Sequence, residues 1–196
     1  MPAKSVISSS RRQRVSNHGK ASLVTVTVLD PKTALIVIDL QKGIVSFPTV
    51  HPIDEIVTRA GALAEAFRHR SLPVVLVNVD AVAPGRTEQP IGLRDLPPGW
   101  TDLVPELNRQ PQDHVVTKRT WGAFTNTDLE AHLKSLGVTQ VVIAGVATSA
   151  GVESTARHAN ELGFNVALAV DAMTDTNADA HQIGRASCRE RVSPRV

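Results

Sequence analysis

Two residues of opposite charge each end an apolar stretch of the sequence, where strands of a parallel sheet present catalytic side chains. Asp39 ends the run Thr33–Asp39, and Lys118 follows the run His114–Thr117. A carboxylate there costs several kcal/mol to desolvate unless it is paired or protonated. A lysine beside it would neutralise that carboxylate, hold an anion or polarise a carbonyl. We interpret Asp39 and Lys118 as an acid–base pair at the ends of neighbouring strands, where opposite charges satisfy one another.

Each of these residues also has a purely structural interpretation. Asp39 could cap a helix, because Gln41-Lys42-Gly43 is compatible with a turn. Lys118 alone could form an exposed basic pair with Arg119. Only the combination of the two charges at strand ends favours chemistry.

The segment VATSAGVESTAR, Val146–Arg157, follows another apolar run and leads into a helix. Small residues turn the chain between Gly145 and Gly151, which places backbone N–H groups at a helix N-terminus, a natural site for an oxyanion or a carboxylate. The alternative is a tight connection that simply needs small residues. Ser149 and Ser154 have no marked base, and Ser149 is not in a G-x-S-x-G turn, so serine hydrolysis is not predicted.

Metal and nucleotide chemistry lack their usual motifs. Of the seven histidines, the six beyond the N-terminal segment show neither H-x-x-x-H nor H-x-H spacing. Neither a Walker loop nor G-x-G-x-x-G is present. We therefore predict no metal and no cofactor.

Charge and hydropathy narrow the class of partner. The chain has 196 residues and a net charge of +2, but residues 1–20 carry +5 and residues 183–196 carry +3, so the chain between them is acidic. This argues against a nucleic-acid-binding face on the folded domain. No apolar run approaches the roughly 20 residues that cross a bilayer, and no secretory signal is recognisable. We expect a cytoplasmic protein that acts on a small molecule, with neither nucleic acid nor membrane as partner.

Both ends of the chain differ in composition from its middle. The composition of residues 1–22 indicates a disordered basic leader, or a start codon assigned too early. The alternatives are a transit-type peptide and an RNA-binding arm. The segment IGRASCRERV, Ile183–Val192, is what a common sequencing adapter encodes when translated. We therefore predict that residues 183–196 are a non-native tail, in which Cys188 has no function, rather than a natural basic tail. The folded domain is expected over residues 23–182.

Strands and helices alternate along that domain. The apolar runs predict five strands, and the 3.6-residue spacing predicts helices between them, with a long loop over residues 80–112. This alternation is typical of a parallel sheet covered on both faces, with ligands at the carboxyl ends of the strands. The predicted strands are 33–39, 74–79, 114–117, 140–144 and 165–170, and the predicted helices are 53–70, 127–137 and 152–162.

Three segments resemble the isochorismatase-like, or cysteine hydrolase, superfamily, and the resemblance runs from about Leu29 to Gln182. They are TALIVIDLQKGI, VTKRTWGAFTNTDLEAHLKSLGVTQVVIAGVATSAGVESTAR and NVALAVDAMTD. The resemblance implies a three-layer α/β/α, Rossmann-like domain with a six-stranded parallel sheet, of which we expect the last strand to be missing here. It also implies a homo-oligomer, a dimer or a tetramer.

The resemblance gives roles to residues of the turn and its surroundings. Asp39 matches the proton-shuttling Asp and Lys118 the Lys beside it, whereas Gly151 stands where the family has its cysteine nucleophile. The Val146–Ala147 peptide is expected to be cis, with the N–H groups of Ala147 and Gly151 facing an oxyanion. Gln41 and Trp121 are expected to line the substrate pocket.

The glycine determines which reaction is expected. Without a thiolate, covalent amide hydrolysis has no nucleophile, and no Asp-x-His cluster after Asp39 or Asp80 matches the nicotinamidase metal site. True isochorismatases also lack the cysteine and hydrolyse a vinyl ether by acid catalysis with water. We therefore predict a hydrolase of a small molecule that uses Asp39, Lys118 and water, with an isochorismate-like vinyl ether as one possible substrate. The alternative is a non-catalytic family member that binds a small molecule or acts as a scaffold.

Overall fold

The computed structural model of the chain describes residues 29–83, 85 and 96–189. Within them, five strands form one parallel sheet with the order β3-β2-β1-β4-β5. The strands are β1 (Thr33–Ile38), β2 (Val74–Val79), β3 (His114–Lys118), β4 (Gln140–Val146) and β5 (Asn165–Thr174). The predicted α/β fold with a parallel sheet is confirmed, while a sixth strand is not found among the described residues. The predicted leader, residues 1–22, lies outside them.

Helices cover both faces of the sheet. The helices are α1 (Lys42–Val45), α2 (Ile53–His69), α3 (Leu129–Ser135), α4 (Glu153–Glu161) and α5 (Ala178–Arg189), with a 3₁₀ turn at Pro105–Leu107 and a π turn at Thr148–Val152. Alternate strand residues pack against α2 on one face and against α3 and α4 on the other. No described helix is both long and apolar enough to cross a membrane.

The central strand shows why the sequence forms this sheet. Every residue of β1 is buried, because β1 lies between β2 and β4 and both of its faces are covered by helices. Such a strand is a continuous apolar run rather than an alternating one. On α2, Ile56, Ala60, Ala64 and Phe67 form the buried stripe that meets one face.

The strand order corrects one prediction. Asp39 follows β1 and Lys118 ends β3, but these strands are not neighbours because β2 lies between them. Strand order is a long-range property, and the local pattern of apolar residues does not encode it.

Helix α5 continues beyond Gln182 as far as Arg189. A β-carbon at Gly184 would stand 3.0 Å from the Cα of Ser149, so this part of the helix lies against the π turn. The proposed adapter origin of Ile183–Val192 concerns where the sequence came from, and it stays a prediction.

One position at the carboxyl edge of the sheet, where β4 pairs with β1, admits only glycine. Gly145, in β4, has a φ of +115°, and a β-carbon there would stand 2.0 Å from the carbonyl oxygen of Ile38 in β1. Only glycine satisfies both conditions. Because Gly145 pairs with Ile38, the end of β1 lies directly beside the turn that follows β4.

Candidate active site

Asp39 begins the site. It follows β1 with a φ of +52°, in the left-handed region that Asp and Asn tolerate better than most residues. Its N–H donates to the carbonyl of Val77 in β2 at 2.9 Å. This backbone geometry fixes the side chain at the carboxyl edge of the sheet, where only 5% of the residue is exposed.

Lys118 reaches this carboxylate from the edge strand of the described sheet. Its Nζ lies 2.8 Å from Asp39 Oδ2 and also donates to the carbonyl of Thr120 at 3.2 Å. Lys118 is 3% exposed, and it comes from β3, so its side chain extends past the end of β2. The structure therefore brings together the two charges that the sequence predicted as a pair, across an intervening strand.

Burial controls the protonation of the pair. Burial raises the pKa of Asp39 to about 6, although the charge and the hydrogen bond of Lys118 lower it in part. Oδ1, the second carboxylate oxygen, is buried and has no hydrogen-bond partner among the described residues. A proton on Oδ1 would leave the Lys118–Oδ2 contact intact, so Asp39 can exist as an acid or as a base near neutral pH.

Gly151 faces this pair from the π turn Thr148–Val152. A β-carbon at position 151 would stand 3.2 Å from Asp39 Oδ2, 3.5 Å from the carbonyl oxygen of Val146 and 2.9 Å from Cγ2 of Ile38. A side chain at this position would therefore project toward the carboxylate. The carbonyl of Gly151 accepts a hydrogen bond from Thr155 Oγ1 at 2.6 Å, which ties the turn to α4.

The peptide bond before the π turn, Val146–Ala147, is cis, at the position that the resemblance implies. The Ala147 carbonyl accepts hydrogen bonds from the N–H groups of Ala150 and Val152, both at 3.1 Å. The start of the turn is thus held by its own backbone. The roles of the Ala147 and Gly151 N–H groups toward an oxyanion stay predictions.

Gln41 and Trp121, both expected to line the substrate pocket, differ in exposure. Gln41 is fully buried, and its side-chain amide donates to the carbonyls of Val79 and Trp100 and accepts from the N–H of Val79. These bonds use both ends of the amide and tie the end of β1 to the end of β2, while a contact of Gln41 with a ligand stays a prediction. Trp121, in contrast, is 55% exposed on the loop after β3, and its contact with a ligand stays a prediction.

The residues that tie the π turn to β5 and α5 were not predicted from the sequence. Asp175, directly after β5, accepts a hydrogen bond from the N–H of Ser149 at 2.7 Å, and Thr148 donates to the carbonyl of Thr174 at 3.0 Å. Nδ1 of His181 lies 2.9 Å from the hydroxyl oxygen of Thr148. The local signal for Asp175 is weak, because Asp171 and Thr174 separate it from the apolar run 165–170. The other contacts join residues at least 26 positions apart and have no local signature.

Metal chemistry finds no ready site in this part of the chain. Within residues 29–83, 85 and 96–189, no group of three or more His, Cys, Asp or Glu side chains is placed to hold a metal ion.

The chain is thus a parallel α/β domain in which a buried Asp–Lys pair faces a strand-to-helix turn. The family model for the isochorismatase domain matches residues 33–194 of the chain. The protein belongs to the isochorismatase family, and it is a hydrolase of that family.

Relatives of this protein include family members known by sequence or structure and a named hydrolase. An uncharacterised isochorismatase family protein of Escherichia coli O157:H7, YecD, is 44% identical over 156 residues, which cover 76% of this chain and 83% of YecD. A solved isochorismatase family protein from Burkholderia thailandensis aligns with a TM-score of 0.83 and 38% identity, over 88% of this chain and 95% of that one. Streptothricin hydrolase of Streptomyces noursei is 37% identical over 141 residues, which cover 71% of this chain and 48% of that enzyme.

Proposed function

We propose that this protein hydrolyses a small molecule by acid–base chemistry with water, with Asp39 as the proton donor and Lys118 as the residue that holds the carboxylate. A vinyl ether of the isochorismate type is the substrate class that this chemistry fits best. The observation that carries the proposal is the position of Asp39. Its carboxylate is buried against Lys118 and faces Gly151, where no reactive side chain can form a covalent intermediate.

The proposed reaction balances with groups that this chain and water supply. Protonated Asp39 gives its proton to the terminal carbon of the enol ether, which leaves an oxocarbenium ion. Water adds to the cationic carbon and returns a proton to the carboxylate of Asp39. The resulting hemiketal then breaks the bond between its central carbon and the ether oxygen. The hemiketal hydroxyl becomes the ketone of pyruvate, and its proton passes to the departing ether oxygen, which leaves as the alcohol. Lys118 stabilises Asp39 whenever the carboxylate is ionised.

The direct test is to measure pyruvate release from isochorismate. A coupled assay with lactate dehydrogenase monitors the pyruvate, and the rate is corrected for the spontaneous reaction. Release above that background, which disappears when Asp39 is replaced, supports the proposed reaction. If no release is seen, isochorismate is excluded. The non-catalytic interpretation then gains weight, unless another small hydrolysable compound is turned over.

The pH dependence of the rate distinguishes an acid from a base. Because the pKa of Asp39 is raised to about 6, its protonated form is populated below that pH and lost above it. If Asp39 is the proton donor, kcat falls about tenfold per pH unit as the pH rises well above 6. A rate that instead rises through the same pH range would show that Asp39 acts as a base.

Enlarging Gly151 should obstruct the reaction. In Gly151→Ala, the new methyl carbon would stand 2.9 Å from Ile38 Cγ2 and 3.2 Å from Asp39 Oδ2, so it fills the space beside the carboxylate and forces a local shift. We expect kcat/KM to fall at least about tenfold, equivalent to about 1.4 kcal/mol.

Gly122→Ala is the matched control for that substitution. A β-carbon at this buried position would make only ordinary contacts, 3.5 Å or more from the atoms of Ser154. We expect the control to keep the parental rate. Full activity of Gly151→Ala would contradict a reaction that uses this space.

A further inference from the structure

We propose that His181 is a positioning residue for the π turn Thr148–Val152: its neutral imidazole holds Thr148 in place, and protonation of the ring releases the turn. The catalytic consequence rests on the proposed function, because the turn carries Gly151. The contact itself does not. His181, Thr148 and Thr174 all lie before Ile183, so they are independent of the origin of the later segment.

The contacts of His181 define its tautomer. Thr148 Oγ1 lies 3.0 Å from the carbonyl of Thr174, which can only accept, and 2.9 Å from His181 Nδ1. A hydroxyl has one hydrogen to donate. Since that hydrogen goes to Thr174, Thr148 Oγ1 accepts at the histidine, and Nδ1 of His181 carries the ring hydrogen. The threonine is thereby held on two sides at the first residue of the turn.

The other ring nitrogen makes protonation unfavourable. His181 is 1% exposed, and Nε2 is buried without a hydrogen-bond partner among the described residues. In the neutral tautomer Nε2 is an acceptor, and leaving a neutral acceptor unpaired costs little free energy. A second proton would place a charged N–H there with nothing to accept it, which costs much more.

The charged and titratable groups around the ring act in the same direction on balance. The ring of His51, before α2, lies 4.8 Å from that of His181 in an edge-on arrangement, and Arg185 is on α5 itself. Burial, followed by these two groups, lowers the pKa of His181, whereas Asp175 after β5 raises it. The π turn, Thr148–Val152, contributes no titratable side chain.

Asp175 bonds to the backbone and not to Nε2 of His181, which has no hydrogen-bond partner among the described residues. Its Oδ2 accepts from the N–H of Ser149, and its Oδ1 accepts from the N–H groups of Thr176 and Asn177. As pH falls, His181 must therefore leave its place to be hydrated, and Thr148 loses one of its two anchors. The turn that faces Asp39 then loosens, and the rate acquires an acid limb that belongs to His181.

The test compares His181→Asn with His181→Gln in the full-length chain. Asparagine places a non-titrating N–H near the position of Nδ1, where it can donate to Thr148, whereas glutamine places its amide near Nε2. The measurement is amide hydrogen exchange over residues 148–152 as a function of pH. In the parent, we expect the protection factor to fall at least about tenfold between about pH 7.5 and about pH 5.

The variants differ in how well the turn is protected and in whether its protection depends on pH. His181→Asn keeps the protection and loses its pH dependence, while His181→Gln and Thr148→Val are weakly protected at both pH values. His132→Asn is the control, because burial also lowers the pKa of His132, which lies on α3. That variant should behave as the parent does. An unchanged pH response of the turn in His181→Asn overturns the proposal. The exchange readout needs no substrate, so it separates this outcome from a failure of the proposed reaction.

Discussion

Asp39→Asn is expected to lower the rate of hydrolysis by about 10²–10⁴-fold, the range that a positioned general acid supplies. Asparagine retains the shape of the side chain and tolerates the left-handed backbone at this position. It has no acidic proton to transfer. The measurement is steady-state pyruvate release by parent and variant on isochorismate, with folding checked by circular dichroism.

Asp102→Asn is the control for this loss. Asp102 also pairs with a lysine, Lys42, but both side chains are more than half exposed, so the substitution should change stability by less than about 1 kcal/mol and leave the rate unchanged. An Asp39→Asn variant that retained parental activity would eliminate Asp39 as the acid. The protein would then need another proton donor or a different reaction.

Lys118→Met is expected to destabilise the fold by about 3–5 kcal/mol at pH 8, because it leaves a buried carboxylate without its counter-ion. Loss of the lysine also removes the interactions that lower the pKa of Asp39, so that pKa rises further. As the pH falls, Asp39 takes up a proton and the penalty shrinks. The destabilisation should therefore be smaller at pH 5, as measured by urea unfolding at both pH values.

The double variant Asp39→Asn/Lys118→Met separates stability from chemistry. Removing both charges should recover most of the lost stability, since a buried pair replaced as a unit costs less than a pair broken on one side. The rate should remain low, because the acid is still missing. Lys42→Met is the exposed comparison, expected to cost less than about 1 kcal/mol. Equal destabilisation by both lysine variants would contradict a special role for burial at Lys118.

The sequence predicted the strands of this protein better than their arrangement. The apolar run of β1 ends at Ile38 as expected within one residue, because a doubly covered strand needs such a run. The run in β5 was predicted to stop at Val170, but the strand continues to Thr174. Its pairing with β4 shifts between Ile143 and Gly145, and this irregularity accommodates the polar Asp171 without ending the strand.

The candidate site was predictable where its residues sit at strand ends and hidden where it depends on distant contacts. Asp39 and Lys118 follow apolar runs, so their convergence could be anticipated, although their distance across β2 could not. Gln41 was expected to line the substrate pocket, and the structure adds that its amide hydrogen-bonds the backbone of Val79 and Trp100. That role depends on where β2 and the following loop come to lie, which no local pattern around Gln41 reveals.

Lys118 places one half of the proposed acid–base pair on an edge strand of the described sheet. Among the described strands, β3 is paired on one side only, with β2. Edge elements open more readily than central ones, at free energies below that of global unfolding. If β3 separates locally, Asp39 loses its counter-ion while β1, β4 and the π turn still stand. Under the proposed mechanism, inactivation in mild denaturant would then report the opening of a single strand, before the fold as a whole is lost.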